Sequence, residues 1–304
     1  MAKSVKIVEV GPRDGLQNEQ KVIDTQVKVE FIESLIAAGH REIEITSFVR
    51  PDKIPQLKDA AEVCLPLLGN HPDVTFSALV PNIQGFNKAI ECGVKKIAVF
   101  TSVSESFNKK NVNASIEQSL EKIERVCEEA IKKNIEIRGY ISTAFGCPYE
   151  GKFEGMFDKV CSVSERLFKL GASEVSIGDT LGVGNPLEVI ELVKMLSGVK
   201  PLNQFALHLH DTFGRGLSNV VAGYQSGIEI FDSSAGGLGG CPYADGAAGN
   251  IATEDLVSCF HDMGIETGIN LEKQVASSKQ IFSHLGKVSY SKVNMAMEKK
   301  CLAK

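Results

Sequence analysis

Two of the chain's six histidines, His208 and His210, stand one residue apart in the run ALHLHD, residues 206–211. If that run is a strand, residues two apart share a face. Both imidazoles then point one way, and Leu207 and Leu209 the other. Two imidazoles on one face of a strand end can reach a single cation; a hydrogen-bonded pair in a polar mouth is the alternative. Asp14, just after the first strand candidate, is an acid that barrel closure would carry toward the histidines. Nitrogen and carboxylate donors with open positions suit a divalent ion such as Mg2+ or Mn2+ that must also hold substrate. Arg13 precedes Asp14. Beside a metal-bound carboxylate an arginine calls for an anionic or developing-anion target, and a salt bridge with Glu44 or Asp179 is the structural alternative. A glycine-rich stretch, GGLGGCPYADGAAGN, runs from Gly236 to Asn250. It can be a surface loop or a segment that closes over a ligand. Cys241 in its middle is a candidate acid or base if nearby cations lower its pKa. The stretch lacks the Gly-Lys-Ser/Thr ending of a phosphate-binding loop.

These residues need elements to position them. Short β-branched runs alternate with amphipathic ones along the chain: VKIVEV, EIEITSF, VTFSALV, KKIAVFTS, IEIRGYIS, SEVSIGD, FALHLHD and IEIFDSS are strand candidates. Between them lie helical patterns such as TQVKVEFIESLIAAG, and one in which Ile116, Leu120, Ile123 and Cys127 recur at helical spacing. Gly39, Gly93 and Gly171 are placed to end helices. Eight strands alternating with helices, with no linker, predict one (β/α)8 TIM barrel over residues 1–304 with extra C-terminal helices from about 270; an open doubly wound sheet has too few strands. Catalytic groups of such barrels stand at the C-terminal ends of the strands. Here those ends carry GPRDGLQNE, then Glu44 with Thr46 and Ser47, then Asp179 with Thr180, then the histidines, then the glycine-rich stretch.

Composition narrows the function classes. The 304 residues are 43% hydrophobic with a formal net charge of −5, and no long basic block invites nucleic acid. No apolar run has the length of a membrane span. The opening MAKSVKIVEVGPRDG enters a strand directly, and the eight cysteines show neither a C-x-x-C pair nor a framework spacing. The expectation is a cytoplasmic protein with reduced thiols, whose partner is a small molecule and neither nucleic acid nor membrane.

EVGPRDGLQNE, ITSFVRP, GCPYEG, GDTLGVG, HLHDTFGRGLSN and GLGGCPYADGAAGNIATEDLV closely resemble the matching segments of the 3-hydroxy-3-methylglutaryl-CoA lyases, in order from near residue 9 to about 258. RDG and HxHD are shared with the wider superfamily of metal-dependent aldol and Claisen enzymes, whereas GLGGCPY is specific to the lyases. The resemblance implies a (β/α)8 barrel that cleaves HMG-CoA to acetyl-CoA and acetoacetate with Mg2+ or Mn2+, in leucine degradation or ketone-body formation, as a homodimer. By the same resemblance Asp14, His208, His210 and Asn250 are the metal ligands, and Asp14 also takes the hydroxyl proton. Arg13 steadies the thioester enolate, Cys241 transfers a proton, and Glu44 and Asp179 are active-site acids that orient Arg13 and the ligands. Asn250 rests on the resemblance alone, since an Asn after glycines otherwise reads as a turn residue. In NKKN, Asn108 to Asn111, Asn111 is the candidate contact to the CoA moiety, with a solvated loop as the alternative. The family's C-terminal redox cysteine does not align: Glu298 falls near its place, with Cys301 a few residues on. A condensing enzyme of the isopropylmalate or homocitrate synthase type would share the histidine pair and the Arg-Asp, but usually reads RDGEQ. A non-catalytic metal-stabilised barrel would have no use for Arg13 beside Asp14.

Overall fold

The computed structural model describes residues 3–240 and 249–302. Its eight strands are β1 (Lys6–Glu9), β2 (Glu42–Ser47), β3 (Thr75–Leu79), β4 (Lys96–Ser102), β5 (Glu136–Ser142), β6 (Glu174–Asp179), β7 (Phe205–Leu209) and β8 (Ile230–Ser233). Each lies parallel to the next, and β8 returns to β1 with Lys6 opposite Ile230 and Glu9 opposite Ser233. The sheet therefore has no edge, which settles the choice between a (β/α)8 barrel and an open doubly wound sheet in favour of the barrel.

The helices form where their sequences ask for them. Helix Ile116–Lys132 starts at a reciprocal cap: the Ser115 side chain accepts from the Gln118 amide, and the Gln118 side chain accepts from the Ser115 amide. Its buried face includes Ile116, Leu120, Ile123 and Cys127, the spacing noted in the sequence. Helix Thr25–Ala38 ends at Gly39, whose φ of 112° and close approach to the Gly268 carbonyl both require a residue without Cβ. Helix Thr253–Asp262 follows β8. The C-terminal helices then run Leu271–Leu285, capped by the Asn270 side chain, and Lys292–Leu302. Helix 271–285 packs on helix 25–38, so it joins the outer ring beside the first βα unit.

Strand alternation sorts the barrel into two compartments. Ile43, Ile45, Ile97, Val99, Ile177, Leu207 and Leu209 face outward into the layer shared with the helices. Burial of each such side chain stabilises the fold by ~1.5–3 kcal/mol. Val8, Val10, Ala206 and Ile230 form a small apolar layer inside. Leu79, Ala98 and Tyr140 form a second one, and much of the remaining interior is charged. Arg138, fully buried, donates to Glu174 Oε1 (2.5 Å), Tyr140 Oη (2.6 Å) and Asp232 Oδ1 (2.6 Å). At the N-terminal end Lys6 pairs with Glu174 (2.5 Å) and Glu42 (3.1 Å), and Lys96 with Glu42 and Glu136. Branched apolar layers usually fill such barrels; here paired ions fill much of this one.

Candidate active site

The turn after β1 sets the first half of the site. Residues Gly11–Gly15 make a single wide helical turn in which the Asp14 amide donates to Val10 O at 2.7 Å. The glycines at its ends are steric requirements. A Cβ at Gly11 would lie 2.6 Å from Glu9 Oε1, and one at Gly15 would lie 2.8 Å from both Leu238 Cβ and Ser234 Oγ. The turn thus packs against the stem of the glycine-rich stretch and turns Arg13 and Asp14 into the barrel mouth. Arg13 donates through Nε to Glu44 Oε2 (2.7 Å) and through Nη1 to Asp14 Oδ1 (2.6 Å), while Nη2 lies 2.6 Å from Glu44 Oε2. Of the two acids weighed as salt-bridge partners for Arg13, the structure selects Glu44. An extra residue in β2 between Glu44 and Thr46 shifts the register with β3, a bulge of the kind that re-aims side chains beside a site.

The second half comes from β7 and the returning limb of the glycine-rich stretch. Ala206 is inside and Leu207 and Leu209 are outside, so His208 and His210 point inward. The Asp211 amide donates to Gly249 O and the Ile251 amide to Leu209 O, which places Asn250 opposite His210 as a bridge. Asn250 Nδ2 donates to Asp14 Oδ2 at 2.7 Å and to Leu238 O at 3.2 Å, leaving Oδ1 as the amide atom for a cation. The outgoing limb meets the returning one at Gly239 and Gly249. A Cβ on Gly249 would lie 2.7 Å from the Gly239 backbone, and a Cβ on Gly239 would lie 2.9 Å from Asn250 Nδ2.

Among the described residues, Asp14, His208 and His210 each offer a ligand atom within 4.8 Å of the others. His208 Nε2 lies 3.8 Å from Asp14 Oδ2, and the two imidazole centroids are 5.4 Å apart. The His210 Nδ1 atom is buried with no hydrogen-bond partner among the described residues. An unsatisfied buried polar atom costs ~1–3 kcal/mol, and beside a carboxylate and a second imidazole it is the donor set a divalent cation satisfies. Protonation states agree. Burial opposes ionisation of Asp14, but Arg13, His208, the Asn250 amide and His210 outweigh it and hold the carboxyl at about 2. Burial and the neighbouring His208 hold His210 down at about 4, so near neutrality the ring is uncharged and one of its nitrogens is bare and able to coordinate. For His208, burial is outweighed by the Asp232 hydrogen bond and the Asp14 charge, and its pKa rises. Burial pushes Glu44 up against the pull of Arg13; its Oε2 also accepts from Tyr140 Oη at 3.2 Å, and its Oε1 has no partner among the described residues.

The structure thus brings Arg13, Asp14, Glu44, His208, His210 and Asn250 together. Asp179 departs from its expected role of orienting Arg13. Its carboxylate accepts from the Val183 (3.1 Å) and Gly184 (2.8 Å) amides of its own loop, with burial lifting its pKa to about 6 against those donors. It braces the β6 loop; Arg13 is already shared between Glu44 and Asp14. Asn111 is exposed on helix Glu105–Val112, which follows β4. Asn108 is buried and donates to Ala114 O and Ser115 O, so that end of NKKN is structural. Cys241 lies outside the described residues, as does the side chain of Cys301. The sequence reading missed Asp232, Arg138 and Tyr140. Strand alternation placed Asp232 on the inward face of IEIFDSS, and that was the available signal.

The chain is similar to known proteins over nearly its whole length. The HMGL-like family model matches residues 4–281. The cytoplasmic 3-hydroxy-3-methylglutaryl-CoA lyase of Rattus norvegicus is 47% identical over 292 residues, 96% of this chain and 84% of the rat protein. The crystal structure of the Bacillus subtilis HMG-CoA lyase superposes with a TM-score of 0.95 at 46% identity, covering 98% of this chain and 99% of that one. An Acinetobacter baumannii HMG-CoA lyase in complex with coenzyme A and 3-methylmalate superposes at 0.91 with 36% identity, covering 97% and 95%. The chain belongs to the HMGL-like family, together with these hydroxymethylglutaryl-CoA lyases.

Proposed function

We propose that this protein is a hydroxymethylglutaryl-CoA lyase, a carbon–carbon lyase that cleaves (S)-3-hydroxy-3-methylglutaryl-CoA to acetyl-CoA and acetoacetate. The observation that carries the reading is Arg13 spanning Glu44 and Asp14 beside the Asp14–His208–His210 group. Asp14, His208, His210 and Asn250 hold the cation, Mg2+ or Mn2+. When bound, it supplies positive charge that acidifies the substrate's tertiary hydroxyl.

Cleavage removes the hydroxyl proton, converts C3 to a ketone and sends the C2–C3 electron pair into the thioester as an enolate. Asp14 is the carboxylate placed to take the proton. Its pKa of about 2 makes it a weak base. Each unit by which it lies below the donor adds ~1.4 kcal/mol to the transfer. Arg13 resolves this difficulty: when Nη1 leaves Asp14 for the thioester oxygen, Asp14 becomes more basic as the enolate gains its counter-charge. Glu44, which holds Nε and Nη2 before substrate arrives, is the anchor about which the guanidinium reorients. Preorganised donors of this kind contribute ~3–4 kcal/mol. Cys241 delivers the proton that completes acetyl-CoA.

The CoA moiety is assigned to Asn111 and the exposed lysines beside it, where the Lys110 ammonium sits 3.9 Å from the Tyr149 ring centroid. No described helix is long and apolar enough to cross a membrane. A cytoplasmic homodimer that binds neither nucleic acid nor membrane completes the proposal. The test is acetoacetate release from HMG-CoA and from longer 3-hydroxyacyl-CoAs, with and without EDTA. Turnover abolished by chelation and restored by Mg2+ or Mn2+ supports the reading. Condensation of acetyl-CoA with a 2-oxo acid, with no HMG-CoA cleavage, overturns it in favour of a synthase.

A further inference from the structure

We infer that Asp232, on β8, is a positioning residue of the cation site: it fixes the His208 ring with Nδ1–H toward itself and bare Nε2 toward Asp14. The inference rests on the reading of His208 as a cation ligand. Asp232 Oδ2 lies 3.1 Å from His208 Nδ1, while the opposite ring nitrogen, Nε2, is the one that faces Asp14 Oδ2 at 3.8 Å. Asp232 is itself clamped. Arg138 donates to its Oδ1 (2.6 Å) and Oδ2 (3.2 Å), and Ser176 Oγ donates to Oδ2 (2.8 Å). A carboxylate held by an arginine can only accept, so the proton between it and His208 belongs to the imidazole. Arg138 is anchored in turn by Glu174 and is completely buried, so the chain of partners back to β5 and β6 is rigid.

His210 makes the contrast. Among the described residues its Nδ1 has no partner, and no side chain presets its tautomer. One ligand of the pair is therefore oriented before the cation arrives, and the other is free to adapt. Asp232 lies on the Nδ1 side, away from Asp14, and acts on the cation only through His208. Outer partners of this kind typically contribute ~10–100-fold to metal affinity.

The experiment uses the full chain, stripped of metal and labelled with 15N-histidine. Long-range proton–nitrogen correlation at alkaline pH should show the His208 ring protonated at Nδ1; a ring protonated at Nε2 overturns the inference. Mn2+ titration followed by EPR should then show Asp232→Asn binding ~10–100-fold more weakly than wild type while retaining its circular dichroism. A folded Asp232→Asn protein with wild-type Mn2+ affinity also overturns it. If that variant does not fold for want of a partner for Arg138, the wild-type tautomer decides alone. A wild-type protein that binds no Mn2+ would instead remove the cation reading itself, and this inference with it.

Discussion

Arg13 shows how much one residue is asked to do. Its three guanidinium nitrogens serve two carboxylates at once, Nε and Nη2 on Glu44 and Nη1 on Asp14. A lysine ammonium supplies the charge but not the planar fork, and cannot hold one acid while turning to a substrate oxygen. Arg13→Lys should therefore lower kcat by ~10²–10³ and raise KM much less, read from steady-state kinetics on HMG-CoA. A change confined to KM would make Arg13 a binding residue. At this scale the sequence was partly legible. Alternation in ALHLHD predicts which way the histidines face, and barrel closure predicts that Asp14 approaches them. The choice of Glu44 over Asp179 was not legible, because it depends on the turn of Gly11–Gly15 and on the β2 bulge. Asp232 went unnoticed because an acid in IEIFDSS reads as a strand-end polar residue until its partner on β7 is known.

At the scale of elements, the site depends on how two limbs of one glycine-rich stretch leave β8 and return beside β7. The returning limb is held by backbone pairing of His210 with Asn250, and the two limbs touch at Gly239 and Gly249. No local pattern displays that pairing, which is why Asn250 was reachable only by resemblance. The strands and helices, by contrast, follow from period and capping signals that each segment carries within itself, as in the Ser115–Gln118 cap. Gly249→Ala tests the limb contact. Its Cβ would lie 2.7 Å from the Gly239 carbonyl carbon and oxygen, and backbone atoms cannot swing aside as a side chain can. Overpacking of this sort costs ~1–3 kcal/mol, and the strain falls on the residue next to Asn250. The variant should lose Mn2+ affinity and turnover by more than its melting temperature suggests. Normal metal affinity together with a lowered melting temperature would show that the limb contact serves stability alone.

The whole molecule carries an unusual number of buried ionisable groups, and their titrations set how stability depends on pH. Glu9, at the end of β1, reaches toward β8 and helix 253–262, accepting from the Gly11 and Ala235 amides and from Thr253 Oγ1. Burial nevertheless lifts it to about 8, and burial lifts Glu254, bonded to Ser278, Gln274 and the Gly236 amide, to about 7. These raised acids keep a proton in the folded state that the unfolded chain has lost above about 4.5. Their contribution is full below that pH and is lost as pH rises through the folded values. His40 and His210, both held at about 4 by burial, act with the opposite sign between there and 6.5, where the unfolded chain binds the extra protons. Up to about 6.5 the two histidines offset part of what Glu9 and Glu254 lose, while Asp179, raised to about 6, and Glu44, also raised, add to the falling side. Above it the histidine contribution no longer changes with pH, and the losses from Glu254 and then Glu9 remain, joined by His208, whose raised pKa has the same sign. The metal-free protein should therefore lose stability from pH 6.5 to about 8. The slope should be at most ~1.4 kcal/mol per pH unit for each group. Glu9→Gln isolates one of them, since the amide mimics the protonated acid toward the same donors and Thr253. In urea unfolding at a series of pH values, the stability of Glu9→Gln relative to wild type should climb from about pH 4.5 and level off near about 8. Parallel curves across that range would mean that Glu9 is ionised inside the barrel wall, held there by its three donors against the cost of burial.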